Sequence, residues 1–131
     1  MEPVRALVIV DAANVVGSRP DGWWRDRKAA TQRLRDRLAE VTHTGLSGEL
    51  PDWATTPPVD VLLVAEGAAR GIDSSDTVSV VDAPGTADDH IAELVARTSP
   101  HRPCLVVTSD RGLRARVVAA GGHTTGASTL H

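Results

Sequence analysis

Near its start the chain carries Leu7 to Val10, an apolar and mostly β-branched run that stops abruptly at Asp11. Such a run reads as a strand buried on both faces of a parallel sheet. Val59 to Ala65, the shorter Val78 to Val81, and Cys104 to Val107 have the same character. Between them the apolar period changes. Ala30, Leu34, Leu38 and Val41 recur at helical spacing and predict a helix from about Trp24 to Val41. Ile91, Leu94 and Val95 predict another over 87–97, opened by Pro84-Gly85-Thr86, and a third over 111–120 stops at Gly121-Gly122. Residues 15–22, with Gly17, Pro20 and Gly22, read as a loop, and 68–77 as a second, polar one. The stretch 43–58 contains Gly45, Gly48, Pro51, Pro57 and Pro58 and reads as one long irregular segment, pinned to the body by Trp53. His123 to Gly126 can add a short fifth edge strand. Strands alternating with helices predict a three-layer α/β/α sandwich with a mainly parallel sheet and right-handed crossovers.

Length narrows this to one domain over 1–131, large enough to bury a core. With three Trp and no Phe or Tyr, that core has to be built from Val, Leu, Ile and Ala. The lone Cys104 offers neither a disulfide framework nor a zinc site and reads as a small buried hydrophobe. No run of 18 apolar residues and no secretory pattern is present, so the expectation is a soluble, cytoplasmic protein without a membrane partner. Net charge is −3 but uneven: residues 19–40 carry a local +3 through Arg19, Arg25, Arg27, Lys28, Arg33, Arg35 and Arg37, against −6 elsewhere. A basic helix beside an acidic body suits a metal-loaded site that meets a polyanion, although charges on a solvated helix face also pair with one another.

Three strand ends carry an acid: Asp11, Glu66 and Asp110, while Asp88-Asp89 opens the helix after the third strand. In open parallel sheets ligands bind beyond the carboxyl ends of the strands, where all of these fall. Singly, several have ordinary explanations. Thr86 can cap a helix with Asp89 reaching back to it, Asp88 can favour the positive helix end, and Asp110 can cap the next helix. Capping explains neither Asp11 nor Glu66. Clustered carboxylates repel unless a cation holds them, and Mg²⁺ or Mn²⁺ is the hard cation such oxygen donors suit. That chemistry points to a phosphodiester as substrate.

Three segments in order, Val-Ile-Val-Asp-Ala-Ala-Asn-Val-Val-Gly (8–17), Gly-Thr-Ala-Asp-Asp-His-Ile (85–91) and Val-Val-Thr-Ser-Asp-Arg-Gly-Leu-Arg (106–114), resemble the NYN branch of the PIN-like nucleases, in particular its YacP-type members. The resemblance runs from Leu7 to about Gly122. It implies a PIN-like fold with strand order 3-2-1-4-5, which brings Asp11 and Asp110 side by side, and a metal-dependent endoribonuclease acting on single-stranded or structured RNA. Asp11 matches the family's first acid, Asn14 its asparagine, Asp88 and Asp89 its paired acids, and Asp110 the acid after the fourth strand, flanked by Ser109 and Arg111. Glu66 stands where the family more often has aspartate, and Ala12-Ala13 replaces its aromatic.

On this reading Asp11 and Asp110 hold the metal, Asp88 completes the shell directly or through water, and Asp89 and Glu66 are further candidates. Asn14 orients water or donates to a phosphate oxygen. Arg111, Ser109 and Arg70 contact phosphates, Arg19, Arg25 and Lys28 guide the RNA backbone, and Trp23 or Trp24 stacks a base unless both simply pack. His90 and His123 read as surface or satisfied residues, and His101 and His131 are less informative still. A haloacid-dehalogenase-like phosphatase needs an acid where Ala13 stands. A receiver domain needs a late lysine, and Lys28 is the only one; no phosphate-binding Gly-rich motif occurs. The rival reading is a PIN-like module that binds RNA or protein with little turnover. Action as a homodimer or with a protein partner fits either.

Overall fold

The computed structural model describes residues 4–18 and 22–130. In chain order these form β1 (Leu7–Asp11), α1 (Ala12–Gly17), a 3-10 turn (Trp23–Arg25), α2 (Arg27–Leu38), and the one-turn helices α3 (Val41–Thr44) and α4 (Asp52–Thr55). Then come β2 (Asp60–Ala65), a 3-10 turn (Gly67–Ala69), β3 (Val78–Asp82), α5 (Ala87–Thr98), β4 (Cys104–Val107), α6 (Arg111–Ala119), β5 (His123–Thr125) and a last 3-10 turn (Ala127–Leu130). The strands form one sheet in the order β3-β2-β1-β4-β5, every pairing parallel. Helices cover both faces, which makes the expected three-layer α/β/α fold. Among the described residues no helix is long and apolar enough to cross a membrane.

Side chains alternate across a strand, so each strand feeds two cores. Val8 and Val10 join Val61, Leu63, Leu105 and Val107 beneath α1 and α2, where Val15, Leu34 and Leu38 close the layer. Ile9 joins Val64 and Val106 on the opposite face, under Ile91 and Val95 of α5 and Leu113 and Val117 of α6. Each of these positions is almost wholly buried. Truncating one such large aliphatic side chain to alanine costs about 2–5 kcal/mol. Cys104 is buried as expected, and burial pushes its thiol pKa up.

The alternation also fixes where the polar residues beyond the strands point. Asp11 is in register with Val64 and two residues past Ile9, and it therefore faces α5 and α6. Glu66 follows Val64 by two, and Thr108 follows Val106 by two, so both share that face.

Several elements depart from the sequence reading. Residues expected as a loop after β1 begin with α1, whose Ala12, Val15 and Val16 form a buried helical face too short to stand out beside Gly17. The single helix expected from Trp24 to Val41 is divided. Asp26 accepts a bond from the Ala29 amide (3.0 Å) and starts α2 afresh after the 3-10 turn, and α3 is a separate turn. The irregular 43–58 stretch contains the end of α3 and all of α4. Gly45 ends α3 at φ +71, where an added Cβ would stand 2.7 Å from the Thr55 backbone. Trp53 does pin the segment, packing on the α2-side core and edge-on to the His123 ring at 5.1 Å.

Candidate acidic site at the C-terminal edge of the sheet

Asp11 is the centre of the rim. It is 3% exposed, and its Oδ2 accepts the Thr108 hydroxyl at 2.9 Å. Burial raises its pKa to about 6 against the Thr108 bond, and the nearby carboxylates of Asp88 and Glu66 push in the same direction as burial. The Thr108 oxygen in turn accepts the Asp110 amide (3.2 Å), while an Asp110 carboxylate oxygen accepts the Leu113 amide (2.9 Å) and caps α6. One hydroxyl thus links the buried acid of β1 to the turn that carries the acid after β4.

Asn14 lies one helical turn beyond Asp11. Its Oδ1 accepts the Ser109 amide at 2.8 Å. A backbone N–H can only donate, so the bond fixes the orientation of the side-chain amide and turns the Nδ2 donor away from Ser109. The Ser109 hydroxyl is itself engaged, accepting the Ala127 amide at 2.9 Å. Both residues therefore hold α1, the β4–α6 turn and the final 3-10 turn in one arrangement.

Glu66 Oε2 accepts the Ala87 amide at 3.0 Å and so fastens the start of α5 over the end of β2. Thr86 caps the same helix through the Asp89 amide (3.2 Å). Asp88, in the first turn, is brought over the rim. Its pKa is raised by partial burial, then by the carboxylates of Asp110 and Glu66, with Arg116 opposing. Asp88 thus stands within electrostatic reach of Asp11, Glu66 and Asp110, acids scattered over the sequence, and Asp11 within reach of Glu66.

Asp89 adds a smaller push on Asp88 but has a partner of its own. Its exposed carboxylate pairs with Arg116 of α6 at 2.9 Å, and that bond, with the Thr86 hydroxyl, holds its pKa down. Of the cations expected at the rim, Arg111 is exposed at the first position of α6, and Arg70 reaches toward the Gly85 carbonyl at 3.5 Å. Trp23 is half-buried against the core, with the Arg27 guanidinium 5.3 Å from its ring centre. Trp24 is 58% exposed, edge-on to Trp23, with Arg25 5.9 Å from its ring centre. Lys28 extends to the Gly71 turn. Arg19 lies outside the described residues. The residue that sequence reasoning passed over is Thr108; its signal was a hydroxyl directly after a fully apolar strand, in register with Asp11.

Among the described residues no group of three or more His, Cys, Asp or Glu side chains stands ready to enclose a metal. The donors are all oxygen and partly committed to amides, which does not suit a closed cage. They fit a hard cation that keeps several waters and takes one or two carboxylates directly.

Sheet order and layers define a three-layer α/β/α fold with acids along one edge of the sheet. In structure the chain is similar to Rae1 (YacP) from Bacillus subtilis, with a TM-score of 0.71 at 22% identity over 95% of this chain and 70% of that one. A point-mutant form of the same protein gives a TM-score of 0.73 at 20% identity over 95% and 72%. This likeness is one of fold. No family model matches the sequence, and neither does any curated protein.

Proposed function

We propose that this chain is a metal-dependent nuclease that hydrolyses RNA phosphodiester bonds at the acidic rim, with Mg²⁺ or Mn²⁺ as cofactor. The observation that carries the reading is the gathering of Asp11, Asp88, Asp110 and Glu66 at one edge with the central acid buried. Uncompensated carboxylates at that density are costly unless the site works with a cation. The three sequence segments that resemble NYN-type nucleases and the YacP-like fold support the same conclusion.

Asp11 and Asp110 hold the cation, and Asp88 completes its surroundings directly or through water. When bound, such a cation acidifies water and offsets the charge developing on a phosphodiester. Asn14 donates from Nδ2 to a phosphate oxygen, being held for this by the Ser109 amide. Arg111 and Arg70 supply positive charge for phosphates beside the cut, and Arg25, Arg27 and Lys28 for those farther along the strand. Glu66 acts through α5, whose first amide it accepts. Asp89 serves the α5–α6 contact through Arg116.

One observation favours the binding-module alternative: the acids do not stand as a preformed metal cluster. Cleavage of single-stranded and hairpin RNA in Mg²⁺, Mn²⁺ or EDTA, with Asp11→Asn as control, separates the two. The nuclease reading expects cutting by wild type with metal only and none by the variant. RNA binding without metal-dependent cutting supports the module.

A further inference from the structure

Beside the acidic rim lies a cleft of about 320 Å³, between α1, the start of α2 and the turn after β2. Its lining includes Ala13 and Val16 of α1, Trp23 and Arg27 at the approach to α2, and Glu66 and Ala69 at the turn after β2. We propose that this cleft receives one unpaired nucleobase of the RNA strand whose phosphate lies at the rim, and that it disfavours uracil. The inference rests on the nuclease reading for the identity of the strand, but not for the existence of the subsite.

Four features converge on a base. Single-stranded RNA is recognised by stacking unpaired bases on aromatic rings and guanidinium planes, and here the Arg27 plane and the Trp23 ring form one wall. Small residues in the same lining, Ala13 and Ala69, leave room for a flat group. Arg27, exposed at the cleft, suits a phosphate outside while the apolar interior suits a ring inside. Glu66 connects the cleft to the rim: it lines the cleft, and its carboxylate is close enough to Asp11 and Asp88 to push their pKa values up.

Glu66 sets the preference. One of its oxygens accepts the Ala87 amide, and an ionised carboxylate has acceptor sites to spare but no proton to donate. Adenine and cytosine each present an amino group, and guanine an amino group beside a ring N–H; uracil's single N–H is flanked by two carbonyl oxygens, which a carboxylate repels.

The test measures binding of fluorescent RNA hexamers of A, C or U in EDTA, so that no cutting is needed. Wild type is expected to bind the A and C hexamers more tightly than U. Ala13→Leu, which fills the slot from an exposed helical position, and Arg27→Lys, which keeps charge but removes the plane, are each expected to weaken A and C binding about tenfold. Glu66→Gln keeps an acceptor for Ala87 and adds a donor, and is expected to erase the bias against U. Equal binding of the three hexamers, or Ala13→Leu and Arg27→Lys both binding like wild type, overturns the subsite even if the enzyme cuts RNA. Failure to cut with the binding pattern intact instead overturns the nuclease reading alone.

Discussion

Replacing Asp11 by asparagine should stabilise the metal-free protein at alkaline pH. The folded state holds the Asp11 carboxyl at about 6 instead of 3.8 because burial disfavours its charge. At about 1.36 kcal/mol per tenfold change in proton affinity, that difference corresponds to about 3 kcal/mol. Its sign follows from linkage. Below the unfolded value both states carry a protonated Asp11 and nothing is lost. As pH rises through 3.8 toward 6 the unfolded chain ionises first, and above 6 the folded state bears the full penalty. Asparagine remains neutral and keeps an oxygen to accept the Thr108 hydroxyl, now donated at 2.9 Å to Asp11. In EDTA at pH 8, Asp11→Asn is therefore expected to melt about 10 °C above wild type for a chain of this size. The gap should close as pH falls to about 4. Mg²⁺ or Mn²⁺ should raise the wild-type melting temperature at pH 8 and leave the variant unmoved, since a ligand stabilises only the state that binds it. Scanning calorimetry at both pH values decides the matter. A variant that melts below wild type at pH 8, or a gap independent of pH, refutes the assignment of Asp11 as a buried charge.

Three further outcomes follow from the same contacts. Thr108→Val removes the donor to Asp11 and the acceptor of the Asp110 amide; it should cost about 1–3 kcal/mol in a denaturant titration at pH 8 and move the NMR titration of Asp11 further upward. Asp88→Asn should abolish cleavage, whereas Asp89→Asn, which weakens the exposed pair with Arg116, should leave the rate near wild type in the same assay. Gly45→Ala places a Cβ 2.7 Å from the Thr55 backbone at a left-handed φ and should lower stability by about 2 kcal/mol or more, read from the denaturation midpoint.

The parts of this architecture legible in the sequence were those set by long, unambiguous periodicity. The β-branched runs ending at Asp11, Ala65 and Val107 had only one economical arrangement, and the β4 limits expected from the sequence are those observed. Boundaries set by a single capping bond were not legible. Nothing in the pattern distinguishes Asp26 as a cap from a charge on a continuous helix, and α1 is too short to show a period. The same divide runs through the rim. Parallel strands brought Asp11, Glu66 and Asp110 to one edge, and strand parity turned Asp11 and Glu66 to one face. Their partners were not readable: that Glu66 binds the Ala87 amide, and that Asp89 turns to Arg116, depends on how α5 and α6 settle on the sheet. The half-buried position of Trp23 likewise arises from its packing against the α2-side core.

The central claim is that Asp11, Asp88 and Asp110 share one cation. Anomalous diffraction from crystals soaked in Mn²⁺ tests it most directly. The account predicts one strong peak at the C-terminal edge of the sheet, about 2.0–2.3 Å from a carboxylate oxygen of Asp11 or Asp110, with Asp88 bonded directly or through water. Manganese bound elsewhere, with this edge empty at full occupancy of the other site, would contradict it.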